Sequence, residues 1–147
     1  MGDVTEIQQA KAWIYTVLAA ETYIAAQIGT HIFADFVLGT PSQRTFPYVL
    51  YNFMASTDID GLGTNRLLTK PLFQVRVVTD GRPDATARKI DKRIDDVLQN
   101  AVHQLSGDYY FSARREQSID RSELDPATGR QYGNLGGLYR LYVSRVP

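Results

Sequence analysis

An α+β fold is expected from the sequence: a mainly antiparallel β-sheet with two helices packed on one face. Three observations lead there. Two stretches, Thr5 to Ile28 and Asp84 to Leu105, repeat apolar residues at three- and four-residue steps. Five shorter stretches are rich in β-branched and aromatic residues, bounded by glycine, proline and polar clusters. The order is helix, three strands, helix, two strands. It lacks the strict strand–helix alternation that parallel sheets require.

In the first helix the apolar stripe is Ile7, Ala10, Ile14, Val17, Leu18, Ile24 and Ile28, with Glu21 as its one charge. Asp3 or Thr5 can cap its start and Gly29 can end it in the left-handed conformation. Ile32 to Phe36 reads as a short strand, and Pro41-Ser42-Gln43-Arg44 as a loop. Phe46 to Phe53 is the next strand. Pro47 cannot donate to a ladder, so it belongs at the strand's start or on an edge. Met54 to Leu68 has no sustained apolar period and carries Asp58, Asp60, Gly61, Gly63 and Arg66. It reads as a long loop, or as a strand extension ending in a mobile turn.

Leu72 to Thr79 is a strand with Phe73, Val75 and Val77 on its apolar side. Asp80 to Asp84 turns into the second helix. Its stripe is Ile90, Ile94, Val97, Leu98, Ala101, Val102 and Leu105, opposite a charged face. Tyr109 to Gln117 and Leu138 to Val146 are the last strands. The polar stretch Ser118 to Asn134 joins them as a long hairpin, with a turn at Asp125-Pro126-Ala127-Thr128-Gly129. One domain is expected over residues 1–147, with long loops near 54–69 and 118–134.

Lys plus Arg and Asp plus Glu each number 16, so the net charge is zero with histidines neutral. A protein that binds nucleic acid over its whole surface would be basic. Cysteine is absent, which excludes disulfides, thiolate metal sites and cysteine nucleophiles. No apolar run reaches the roughly 18 residues of a membrane span. Met1-Gly2-Asp3-Val4-Thr5-Glu6 lacks the basic start and apolar stretch of a secretory signal, so a cytosolic protein is the default expectation.

His31 and His103 stand alone, outside any metal-ligand spacing, and read as structural. Asp58 and Asp60 fall on one side of an extended segment. No third ligand stands near them, so a solvated loop outweighs a paired-carboxylate site. Gly61-Leu62-Gly63 lacks the third glycine and following helix of a dinucleotide site. No catalytic residue, metal site or cofactor is expected. Phe46 to Phe53 carries aromatics on both faces, so the sheet's second face should be covered by helices or by another subunit.

Four segments together resemble a known family. They are a leading helix ending in Ile28-Gly29-Thr30-His31-Ile32-Phe33, then Phe46-Pro47-Tyr48-Val49-Leu50-Tyr51, then Phe73-Gln74-Val75-Arg76-Val77-Val78 before a helix with Ala87, Ile90, Ile94 and Leu98, and Gly137-Leu138-Tyr139-Arg140 opening the closing strand. Over about 140 residues the chain resembles the tail terminator, or tail completion, family of long-tailed bacteriophages. The resemblance implies a structural virion protein of the tail and neck, assembled in the host cytoplasm. Copies would form a hexameric ring that caps the tail tube, stops its growth and joins the tail to the head-side connector. Phage DNA would pass through the lumen without sequence-specific binding. No enzyme activity, cofactor or membrane contact is implied. The expected partners are other copies of this chain, the tail tube protein and the connector or stopper protein. Candidate interface residues are Asp58, Asp60 and Arg66 in the first polar segment, and Arg121, Leu124 and Tyr132 in the second. Two other readings stand beside this one: a head-side connector or stopper ring, and a small-ligand-binding α+β domain.

Overall fold

The computed structural model describes residues 4–37, 44–60 and 66–146, without the side chains of residues 4, 5, 58–60, 66 and 67. Three helices and six strands follow in the order α1 (Val4–Ala20), α2 (Thr22–Ile28), β1 (Ile32–Ala34), β2 (Tyr48–Asp60), β3 (Arg66–Asp80), α3 (Ala85–Gln99), β4 (Gln104–Ser106), β5 (Tyr109–Leu124) and β6 (Gln131–Arg145). The sheet order is β1-β2-β3-β6-β5-β4. Only β1 and β2 run parallel; the other neighbours are antiparallel. The α+β expectation holds.

The stretch expected as one helix is two. Glu21, the lone charge in the apolar stripe, leaves the helical conformation (φ −72°, ψ 125°) and caps α2, its carboxylate accepting from the Ile24 N–H at 2.7 Å. A buried carboxylate in that stripe would lack a partner; at the helix start it satisfies an orphan donor. Asp84 does the same for α3, accepting from the Ala87 N–H at 2.8 Å. That helix stops at Gln99 rather than near Leu105. Val102 is 74% and Leu105 62% exposed, so the last two members of the expected stripe lie outside the core. His103 adopts a positive φ of 50°, its N–H donates to Ser112 Oγ at 2.8 Å and its ring stacks on Tyr110.

The helices cover one face of the sheet. Ala10, Trp13, Ile14, Leu18, Ile24, Ile90, Ile94 and Leu98 pack on Val49, Tyr51, Phe73, Val75, Val77, Phe111, Tyr139 and Leu141. Trp13 stacks on Phe111 with ring centroids 5.0 Å apart. Arg115 ties α3 to the sheet: Nη2 donates to Asp91 Oδ1 at 2.7 Å, and Nε to the Tyr139 hydroxyl at 2.8 Å, which donates to Asp95 Oδ1 at 3.1 Å.

Tyr51 donates its hydroxyl to the Lys11 carbonyl at 3.1 Å. Burial, with Asp35 nearby, pushes its phenol from 10.0 to about 12. Burial also raises Tyr139. A folded-state value above the unfolded one means that the neutral phenol stabilises the fold fully below about pH 10 and loses that effect as pH rises towards about 12. The thermal midpoint should therefore fall across this window. Tyr51→Phe should flatten that fall in thermal melts followed by circular dichroism.

The polar segment Met54 to Leu68 is largely strand. β2 runs on to Asp60, pairing Ser56 with Pro71, Thr57 with Lys70 and Ile59 with Leu68. The side chains of β2 need no apolar period here, because the ladder continues through the backbone. Residues 61–65, between β2 and β3, lie outside the described residues. β5 and β6 likewise extend into the second polar segment to Leu124 and Gln131. There the Asp125 N–H donates to the Arg130 carbonyl at 2.8 Å and the Asp125 carboxylate accepts from the Ala127 N–H at 3.0 Å.

β3 and β6 are antiparallel, with Thr69 opposite Val143 and Asp80 opposite Tyr132. The paired ends of β2 and β3 at Asp60 and Arg66, and those of β5 and β6 at Leu124 and Gln131, therefore lie at opposite ends of the sheet. Gly136, opposite Arg76, brings these two strands together: a Cβ there would stand 2.0 Å from the Val75 carbonyl oxygen and 2.6 Å from Arg76 Cα. β1 pairs only with residues 49–51 of β2, and β4 only with residues 109–111 of β5. The rest of both long strands forms the sheet's outer edges.

Candidate functional site

The face away from the helices carries its own small cluster, Tyr48, Leu50 and Val78, with Phe33, Val37 and Phe46 against it. Strand alternation puts them there: Tyr48 pairs with Val78 and Leu50 with Arg76, while their neighbours Val49 and Val77 face the helices. Rings continue along this face. Phe33 meets Tyr48 edge-on at 5.9 Å, Tyr48 meets Phe46 at 5.3 Å, and Phe46 stacks on Tyr132 at 5.8 Å. The Phe46-Pro47 peptide bond is cis. Arg130 ends the row, its guanidinium 5.3 Å from the Phe46 ring centroid and 5.7 Å from that of Tyr132. It also grips Asp80 through two hydrogen bonds of 2.9 and 3.2 Å, and holds that carboxyl below its usual range.

Beside this row, at the β5–β6 end, lies a concavity of about 410 Å³. Tyr48, Leu50 and Val78 line it, with Phe36, Glu123 and Leu124 at its mouth. Arg76 and Asn134 stand inside. Arg76 Nη1 donates to Asn134 Oδ1 at 2.9 Å and lies 3.8 Å from Glu123 Oε1. Burial pulls the Arg76 guanidinium below its usual range, Glu123 pulling the other way. Glu123 is shared with Arg121 at 3.6 Å.

The sequence-expected interface residues fall into two groups at opposite ends of the sheet. Arg121, Leu124 and Tyr132 gather at the β5–β6 end. Arg121 and Leu124 are exposed, Leu124 by 66%, and Tyr132 is half-buried against Phe46. Asp58, Asp60 and Arg66 belong to the β2–β3 end, where the backbone pairs Asp58 with Thr69 and Asp60 with Arg66; their side chains lie outside the described residues. Sequence reasoning passed over Arg76 and Asn134. The available signal was a cation in the middle of a β-branched run, alternating with Val75 and Val77 and on the same side as Gln74.

Among the described residues no three His, Cys, Asp or Glu side chains are grouped so as to hold a metal. Nor is any helix there long and apolar enough to cross a membrane. No family model and no curated protein matches this chain. Among solved structures it is similar to a chain in one described as the virion of native gene transfer agent (GTA) particle. The TM-score is 0.56 and the identity 20%, over 89% of this chain and 91% of that one. This likeness is one of fold.

Proposed function

We propose that the chain is a structural virion protein, a tail terminator that assembles as a hexameric ring. The ring caps the tail tube, stops its elongation and joins the tail to the head-side connector. The observation that carries this reading is the fold shared with a virion chain over nearly the full length of both. The geometry adds to it. Two hairpin ends point away from opposite ends of one sheet, which suits a part that meets one partner on each side. The reading assigns the protein no catalytic role and no cofactor. Arginines near the helix-free face stand beside acids: Arg130 beside Asp80, Arg140 beside Glu116, and Arg76 and Arg121 sharing the single carboxylate of Glu123. Cations partly neutralised in this way would let DNA pass without gripping it.

Electron microscopy of particles made with altered protein tests the reading. Deleting Ile59 to Asn65 removes few ladder pairs and should leave a folded chain that fails to join heads and tails. Leu124→Ala should weaken joining at the other end, with thermal stability nearly unchanged. Tyr132→Ala should cost stability as well, because its ring packs within the chain. Wild-type yields of complete particles from the deletion and from Leu124→Ala would overturn the assignment.

A further inference from the structure

In the concavity on the helix-free face, Asn134 Nδ2 and Arg76 Nε are shielded from water and have no acceptor among the described residues. Asn134 is 1% exposed, and its orientation follows from the Arg76 Nη1 bond to its Oδ1, which leaves the amide nitrogen for another partner. Donors shielded this way are normally matched by an acceptor. The acids nearby do not match them. Asp125 is engaged with the Ala127 N–H, and the half-exposed Glu123 is divided between Arg76 and Arg121 at 3.8 and 3.6 Å. Beside these donors lie an apolar floor and two side chains, Phe36 and Leu124, each 66% exposed at the mouth.

We infer that this concavity receives a segment of a partner protein that carries a carboxylate next to bulky apolar side chains. The carboxylate takes the Arg76 and Asn134 donors after displacing Glu123, and the apolar groups cover Tyr48, Leu50 and the rim. The inference stands on the concavity itself. It names the chemistry of one partner contact and holds wherever in a particle the chain sits.

The probe is a capped Leu-Glu-Phe tripeptide, titrated into the purified full chain labelled with ¹⁵N. The Asn134 side-chain amide and Arg76 Nε signals should shift saturably. The Leu-Gln-Phe peptide should bind about tenfold more weakly, because it offers no charge-assisted bond. Glu123→Gln should tighten binding of the acidic peptide by removing the competing carboxylate. Asn134→Asp should abolish it by placing a carboxylate inside, with the fold checked by its thermal midpoint. Equal binding of both peptides, or no shift at either signal, would overturn the inference. So would shifts that follow protein concentration without peptide, which would assign the site to a second copy. Binding that appears only after residues 38–43 are deleted would assign it to the chain's own segment, and would overturn it too. Failure of head–tail joining bears on the terminator reading, whereas this titration bears on the concavity alone.

Discussion

Gly136→Val should leave little folded protein. Any Cβ at this position meets the Val75 carbonyl oxygen at 2.0 Å and Arg76 Cα at 2.6 Å. Both are backbone atoms of a central strand and cannot rotate away. β3 and β6 would have to separate, which breaks their ladder in the middle of the sheet. The expected loss is more than about 3 kcal/mol, at the upper end for overpacking. Gly129→Ala is the control. Its φ of 72° is strained for alanine, but nothing lies within 4 Å of the added carbon. It should cost only about 1 kcal/mol. Urea denaturation of both variants gives the comparison, and equal midpoints would show that the strands are not pressed together at Gly136.

Arg115→Met should have the next largest effect. The guanidinium bridges Asp91, Asp95 and the fully buried Tyr139 hydroxyl. Burial is the largest influence and opposes its charge, yet the hydrogen bonds and charges of Asp91 and Tyr139 together outweigh it and raise its pKa. Removing it leaves the Asp91 carboxylate, 17% exposed, without its cation, while Asp95 keeps the Tyr139 hydroxyl; the expected cost is about 2 kcal/mol. Asp91→Asn in the same chain should recover part of the loss, since the stranded charge is then gone. Lys92→Ala breaks an exposed pair, with Lys92 76% exposed, and should cost less than about 0.5 kcal/mol. Should Lys92→Ala match Arg115→Met in the same denaturation series, the bridge is not what fastens the helix.

What could be read from the residues alone was what core burial imposes. Ile14, Leu18, Ile90, Ile94 and Leu98 announce their buried faces by period, and all five are buried. Two adjacent glycines beside a strand, Gly136-Gly137, fit a bulge or a close backbone approach on the sequence alone. Gly136 proves to be that approach, and the β5 register shifts between Arg115 and Gln117, across from Leu138 and Tyr139. Period failed where tertiary partners decide. Glu21 breaks a helix whose apolar stripe runs on past it. Val102 and Leu105 continue the α3 stripe on paper after the helix has ended at Gln99. The strand extensions beyond Phe53 and Gln117 are polar, because ladder hydrogen bonds need no apolar side chain. The site shows the same division. Leu124 and Tyr132 were visible as apolar residues in a polar hairpin. Arg76 and Asn134 lie 58 residues apart and meet only because β3 and β6 pair in this register.

The two short outermost strands have a consequence for how the free protein behaves in solution. Beyond the residues that β1 and β4 cover, and past Ala113 and Arg115, whose N–H groups donate to the Ala101 carbonyl and to Gln99 Oε1, β2 and β5 present sheet edges with no neighbouring strand, a ready template for indiscriminate strand addition. A chain with zero net charge has little overall repulsion to keep copies apart. The task falls to individual charges along the margin, such as Arg114, Glu116, Asp120, Arg121 and Glu123 on β5. Because their signs are mixed, they refuse most registers and tolerate few. Salt that screens them should loosen this local discrimination, and should promote aggregation of the free chain rather than ordered growth.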